Sequence, residues 1–365
     1  LHTHSLWSDG DEFPEMIMAW YADNGYQFVG LSDHNILQEG EKWVRVPNNP
    51  IRREAFGAYL ETFGPDWVIY KEEADTLRVQ LQTLDRYRPL FEKKDSFLIL
   101  KSQEITSGFE GKPIHINATN IDSLIPAAKG STMLETMQKN IDAVMAQRKA
   151  TGQPMFPHIN HPNFGWAMDS EVMKELENER FFEVYNGHPL VNNYGDSTRM
   201  GTEAMWDDIN LHYLREGKPL MFGLATDDSH HYHNFGPKYS NAGRGWVMVR
   251  AATLSPEALI EAMEAGAFYA STGVELSDYE VTAEGIRLEI VPEEGIEYRI
   301  EFLGAGPEDK ATTIRQESLG ASATYAFGKN DRMVRVRITS SKDKANPFSP
   351  GDKEMAWTQP IARSL

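Results

Sequence analysis

Read for apolar and polar periodicity, the first 272 residues break into short apolar runs that each end in residues able to bind metals or move protons. "FVGLSDHN" closes on Asp33 and His34, "FLILKSQEIT" on Glu104, "PIHINATN" carries His115, and "MFPHINHPN" carries His158 and His161. "FFEVYNGH" ends on Glu183, Asn186 and His188, and "PLMFGLATDDSHH" on Asp227, Asp228, His230 and His231. With the opening "LHTHS" these make seven runs, most of them separated by segments of helical periodicity such as "PEMIMAWYADNG" and "STMLETMQKNIDAVMAQRKATG". Alternating strands and helices predict a parallel sheet with helices outside, either doubly wound or closed into a barrel. A doubly wound sheet concentrates its site at one switch point, whereas a barrel collects residues from the ends of most strands. All seven runs contribute here and no glycine-rich phosphate fingerprint occurs, so the expected fold is an α/β barrel of about seven strands.

Two stretches depart from this repeat. Between Asn35 and Ser96 lies a segment too long for a simple crossover, with helical patterns around "IRREAFGAYLETFG" and "ADTLRVQLQTLDRYRPLFEKK". It is expected to be a helical insertion, about residues 35–96, roofing the site. From residue 273 the pattern changes to alternation, as in "YEVTAEGIRLEIV", "IEYRIEFLG" and "MVRVRITSS", which predicts a small antiparallel β domain over 273–365 of the sandwich type. The expected division is therefore a barrel over 1–272 and a β domain whose removal, from about residue 275, spares the site.

Composition narrows the chemistry. Of 365 residues 41% are hydrophobic and 25% charged, the profile of an ordinary globular chain. No apolar run approaches the roughly 18 residues of a membrane span. The first residue is not methionine and no signal-peptide pattern follows it, which suggests a soluble, exported bacterial protein with its N-terminus removed. The net charge of −18 disfavours a long nucleic acid as partner, because that binding rests on Lys and Arg displacing counterions. Cysteine is absent, so any metal must be held by nitrogen and oxygen, which points to Zn, Mn or Fe.

His2 and His4 stand at i and i+2, so on an extended segment both imidazoles face one point, the geometry of a metal clamp. Most of the eleven histidines fall at strand ends beside carboxylates, whereas histidines that only satisfy a hydrogen bond would scatter as His212 does in its helical segment. The clustering points to a multinuclear metal site.

"HTHSLWSDG", "SDHN", a Glu after the third strand, a His on the fourth, "NHP" on the fifth and "DDSH" on the last together resemble the PHP family, the polymerase and histidinol phosphatase metal-dependent phosphoesterases. The resemblance covers residues 1–272. It implies a distorted (β/α)7 TIM-like barrel, two or three divalent metal ions, and hydrolysis of a small phosphate monoester or diester. Carried over position by position, it implies His2, His4, Glu104 and Asp228 as ligands of one metal. Glu104 would bridge to a second, held by His115 and His161, and Asp9, His34 and His230 would hold a third. His161 is preferred over His158 for its following proline, and Asp228 over Asp227 for the Asp-x-His spacing. A carboxylate bridging two cations about 3.5–4 Å apart makes water nucleophilic near neutral pH, so no protein nucleophile is required. Glu104, Asp9, His34 and His230 are accordingly the catalytic candidates, with the outer three assisting the leaving oxygen.

Asn186, His188, Arg199 and Arg244 are candidates to bind substrate, the two arginines by bidentate grip on phosphate. Two other classes compete with phosphoester hydrolysis. Amidohydrolase barrels use similar water activation for C–N bonds. The barrel could also be a metal-stabilised binding module whose β domain takes a glycan or a protein.

Overall fold

The computed structural model describes residues 1–73 and 76–363. The chain opens with an extended segment, Leu1–Ser5, followed by helix α1 (Pro14–Asp23) and strand β1 (Phe28–Leu31). After the insertion come β5 (Leu98–Phe109), β6 (Lys112–Thr119), helix α4 (Met133–Thr151), β7 (Phe156–Ile159), α5 (Ser170–Lys174), β8 (Phe181–Asn186), α6 (Thr202–Glu216) and β9 (Phe222–Thr226). The six strands form one sheet in the order β1-β5-β6-β7-β8-β9. Its ends are linked through the opening segment. Ser32 donates to the Thr3 carbonyl at 2.8 Å on one side, and His4 donates to the Ser229 carbonyl at 2.9 Å on the other.

The expected all-parallel repeat is broken. β6 pairs antiparallel with both its neighbours, β5 and β7, while β1·β5, β7·β8 and β8·β9 are parallel. The cause is a two-residue hairpin at Glu110-Gly111, where φ is 49° and 78° and the twist matches that of the flanking strands. Its consequence is functional: Thr106 lies opposite His115, which brings Glu104 and His115 onto facing strands of one hairpin.

The insertion is mixed rather than helical. β2 (Trp43–Val46), β3 (Tyr70–Glu73) and β4 (Thr76–Gln80) form a sheet in the order β2-β4-β3, with α2 (Pro50–Phe63) packed beside it and α3 (Leu84–Phe91) packed against α1 and β5. "TLRVQ", read above as helical, buries Leu77 and Val79 at a spacing of two, and a strand puts both on one face. Ala74 and Asp75, where that helix was expected to begin, lie outside the described residues.

Beyond β9 the chain builds β10 (Trp246–Val249), α7 (Pro256–Glu264), β11 (Phe268–Ser271), β12 (Leu276–Val281), β13 (Gly285–Ile290), β14 (Tyr298–Ala305), β15 (Thr313–Leu319), β16 (Ser322–Ala326), β17 (Met333–Asp343), β18 (Lys353–Thr358) and β19 (Ile361–Ala362). One antiparallel sheet runs β10-β11-β18-β17-β14-β15 with β19 beside β17; a second runs β12-β13-β16. Ile286 and Leu288 of the second share a buried cluster with Ile300, Phe302, Val336 and Ile338 of the first. The larger sheet takes β10 and β11 from before residue 273. Among the described residues no helix is long and apolar enough to cross a membrane.

Candidate metal centre

The opening segment places His2 and His4 on one face, wholly buried, while Thr3 turns the other way to the Tyr21 hydroxyl at 3.1 Å. Their Nε2 atoms meet the same two carboxylates. His2 Nε2 lies 3.4 Å from Glu104 Oε1 and 3.3 Å from Asp228 Oδ1. His4 Nε2 lies 3.4 Å from Glu104 Oε2 and 3.4 Å from the same Asp228 Oδ1. Glu104 also meets His115 Nδ1 at 3.0 Å, His34 Nδ1 at 2.6 Å and His161 Nε2 at 3.6 Å. Asp9 Oδ1 stands outside this core, 3.4 Å from His230 Nε2, 3.6 Å from His34 Nε2 and 3.8 Å from His4 Nδ1. All nine residues read from the sequence as metal ligands thus fall in overlapping groups with the spacing to hold a cation.

Backbone strain marks the same place. His161 and Asp228 have φ of 22° and 49°, conformations that cost non-glycine residues on the order of 1–3 kcal/mol and cluster at functional sites. Gly10 matters for space: a Cβ there would sit 2.5 Å from the His4 carbonyl, so only glycine lets the Asp9 turn close over the segment.

The donor set fits divalent cations. His2 Nε2, His4 Nε2 and His115 Nδ1 are buried and make no hydrogen bond, although carboxylate oxygens lie near them. Buried polar atoms left so cost about 1–3 kcal/mol each, and cations in the groups these nitrogens belong to would satisfy them. Burial pushes His4 down to about 3, with His230 and His34 adding to the effect, so it is neutral at pH 7 with a lone pair to give. Burial alone would raise Glu104, yet the His115, His34 and His2 imidazoles hold it well below the usual carboxylate range. Asp228 is likewise held low against burial by His2, His4, His230 and His161.

The group that fixes this arrangement stands at a strand end in the sequence but has no role assigned from it. Glu183, wholly buried on β8, accepts His2 Nδ1 at 2.7 Å, the Thr226 hydroxyl at 2.8 Å, the His161 backbone N–H at 2.7 Å and Asn186 Nδ2 at 2.8 Å. It therefore sets the ring orientation of one candidate ligand and the backbone of another, as carboxylates behind metal-binding histidines do. The signal was present: an acid inside the fully buried strand "FFEVYN" is tolerable only when paired. His158 lies behind, 3.5 Å from Glu183. Asp33 braces the opposite wall by accepting the Ser5 N–H, the hydroxyls of Ser5 and Ser8, and Gln38 Nε2.

The four candidates for substrate contact part ways. Asn186 is buried and committed, its amide donating to Glu183 and to Asp228 at 3.2 Å and its oxygen accepting the His188 N–H at 2.8 Å. His188 is partly open, its ring 5.7 Å from that of His230. Burial lowers it to about 4, and its Nδ1 accepts the Leu190 N–H at 3.1 Å, which leaves the proton on Nε2. Arg199 is half-exposed, paired with Asp196 and stacked on Trp166 at 3.7 Å. Arg244 is buried and spends its guanidinium on the carbonyls of Gly187, Gly236, Tyr239 and Asn346, so it staples the loops together and presents no free fork to a phosphate.

No protein-family model matches the chain and no curated relative was found. One solved structure similar to it is that of a two-domain protein from Bacteroides vulgatus containing a predicted PHP-like metal-dependent phosphoesterase, with 15% identity and a TM-score of 0.46 over 100% of this chain and 93% of that one.

Proposed function

We propose that this chain is a metal-dependent phosphoesterase of the PHP type, acting on a small phosphate monoester or diester. One observation carries the reading: nine histidine and carboxylate side chains, from segments spread between residues 2 and 230, converge in overlapping groups with three buried imidazole nitrogens unpartnered. In this reading the linked six-stranded sheet and opening segment are the distorted seven-element barrel. His2, His4, Glu104 and Asp228 would hold one cation, Glu104, His115 and His161 a second, and Asp9, His34 and His230 a third. Bound Zn, Mn or Fe would supply Lewis acidity toward phosphoryl oxygens and a water acidic enough to act as nucleophile near neutral pH.

The chain's own residues do the rest. Glu104 spans the two inner groups, Glu183 fixes the His2 ring, and Asn186 holds the His188 backbone so that its Nε2–H can donate to a phosphoryl oxygen. Phe164 lies beside the site, its ring 5.3 Å from His161 and 5.4 Å from His188, and the net charge of −18 favours a small substrate over a long nucleic acid.

The test is hydrolysis by the purified chain of parallel panels of phosphate esters and amides, with metal content measured, after chelation and after restoring Mn or Zn. Phosphoester turnover that vanishes and returns with metal is the expected result. Turnover of amides alone would make it a C–N hydrolase, and no turnover with the metal confirmed in place would make it a binding module.

A further inference from the structure

Two loops of the metal centre are gripped from behind by one side chain. Arg244, 2% exposed, donates through Nη1 to the Gly187 carbonyl at 2.9 Å and the Tyr239 carbonyl at 2.5 Å. Through Nη2 it donates to the Gly236 carbonyl at 2.9 Å, and through Nε to the Asn346 carbonyl at 2.8 Å. Gly187 stands between Asn186 and His188, and its lack of a side chain admits the arginine: a Cβ there would lie 2.7 Å from Arg244 Cβ. Tyr239 precedes Ser240, whose carbonyl accepts the His230 N–H at 2.9 Å and whose hydroxyl donates to the Asp228 carbonyl. Arg244 thus sets the loop carrying Asp228 and His230 against the loop carrying His188, and the rings of the two histidines stand 5.7 Å apart.

The third limb of this grip belongs to the C-terminal sheets. Asn346 is half-buried in the loop 344–352 between β17 and β18, far in sequence from every candidate ligand. Besides its carbonyl, its side chain is engaged at both ends: Oδ1 accepts Arg244 Nη2 at 3.3 Å, and Nδ2 donates to Asn241 Oδ1 at 3.1 Å. Asn241 in turn donates to the carbonyls of His231 and Asn234 at 2.7 and 2.8 Å. None of Arg244's hydrogen-bond partners is a carboxylate. A buried guanidinium satisfied by neutral oxygens is costly to desolvate, but its planar fork of five N–H groups fixes several carbonyls at once, so what it supplies best is geometry.

We infer that Asn346 is a positioning residue of the metal centre, through which the C-terminal unit sets His230 against His34 and Asp9 and so governs how tightly the outer cation is held. This rests on the reading above that those three residues hold a cation. His230 is tied to the Asp9 loop by the Asp11 N–H on its carbonyl at 2.9 Å, so slack in this loop reaches two of the three outer ligands. The inner group is better secured. Asp228 is held from the other side, its N–H on the His2 carbonyl at 3.0 Å and its carboxylate on Asn186 Nδ2 at 3.2 Å.

Chelator competition on the full chain loaded with Co²⁺, whose visible absorption also reports coordination, tests this in Asn346→Ala. Gln359→Ala serves for comparison, because it cuts bonds between the C-terminal unit and β9 while leaving Arg244 alone. In Asn346→Ala the most loosely held cobalt should weaken about tenfold and change its absorption, with the tighter cobalt unchanged. Asn346→Asp, which keeps an acceptor for Arg244 and loses only the donor to Asn241, should fall between that variant and the parent. Gln359→Ala should lower thermal stability and leave cobalt binding as it was. Parent-like affinity and absorption in Asn346→Ala, or an equal loss in Gln359→Ala, overturns the inference and leaves the phosphoesterase reading standing. A parent chain that takes up no cobalt at all overturns both.

Discussion

At the scale of single residues the centre divides into groups that hold and groups that aim. Glu104 is the one side chain shared by His2, His4, His34, His115 and His161. Glu104→Gln is therefore expected to lower turnover by more than about 100-fold, beyond the loss from replacing any one histidine, because it removes charge felt by both inner cations. Near wild-type turnover would end its bridging role. Glu183→Gln keeps the shape but weakens the bond that fixes His2, so metal affinity, measured by chelator competition, should fall about 10–100-fold. Asp9 is 59% exposed and lies nearest the outer imidazoles, 3.4 Å from His230 and 3.6 Å from His34, with the inner His4 at 3.8 Å. Asp9→Asn should leave the inner cations bound, cost an alkyl phosphate about 100-fold in turnover and an aryl phosphate much less, since help to the leaving group matters only when that group is poor. Equal losses on both, or loss of all metal, would place Asp9 in the inner site.

Among the elements, strand ends were legible and pairings were not. Runs such as "FVGLSDHN" and "FGLATDDSHH" announce their histidines because apolar side chains stop where the sheet meets solvent, and "LHTHS" reads as a clamp by parity alone. The β5–β6 hairpin was hidden because Glu110-Gly111 is a plain turn signal between two runs already assigned to separate repeats. The strand "TLRVQ" was hidden inside a longer stretch of helical spacing, where burial by neighbouring elements overrides local preference. Glu183 was visible but unranked, because a sequence does not say which carboxylate faces the ligands and which backs them. The insertion's job also emerged only in three dimensions: Tyr59 and Trp67 donate to Glu15 at 2.7 and 2.8 Å, and Trp7 donates to the Gln82 carbonyl at 3.2 Å, so it clamps the segment that carries Asp9. Glu12, on the same segment and 3.2 Å from His233, gives it a pH signature. Burial raises Glu12 from its ordinary value near 4.5 to about 8, so the folded chain keeps a proton that the unfolded chain releases between those values. Stability from this group is complete below about pH 4.5 and is lost as pH rises through about 8. Denaturant unfolding at about pH 5 and about pH 9 should show the decline, and Glu12→Gln should flatten it; an unchanged profile in the variant would assign the decline elsewhere.

For the molecule as a whole, the boundary read at residue 273 is crossed by bonds that a removable appendage would lack. β11 pairs with β18, and Gln359 both donates to the Gly223 carbonyl at 2.9 Å and accepts its N–H at 2.7 Å, reaching the middle of β9. Ala305, Met333 and Trp357 share a buried cluster with Phe182, Met205 and Trp206 of the site-bearing unit. At the centre of that contact Arg335, 1% exposed, donates to Asp207 through Nε at 2.7 Å and to Glu203 at 2.7 Å, while its guanidinium lies 5.0 Å from the Trp206 ring centroid. Truncation near residue 275, which the sequence pattern alone made look harmless, would strand both carboxylates and expose that cluster. The two units should accordingly unfold in one transition. Arg335→Met keeps most of the side chain's bulk but leaves Asp207 without its cation and Glu203 with Arg337 alone, at 3.2 Å; losing one member of a buried pair costs about 3–5 kcal/mol. Replacing the carboxylates as well, with Asp207→Asn and Glu203→Gln, removes the stranded charge and should recover much of the loss. Calorimetry distinguishes the cases: a single peak that moves down with Arg335→Met and back with the triple variant is the expected record, and two separate peaks, only one of them sensitive to Arg335, would show that the C-terminal sheets fold apart from the metal centre.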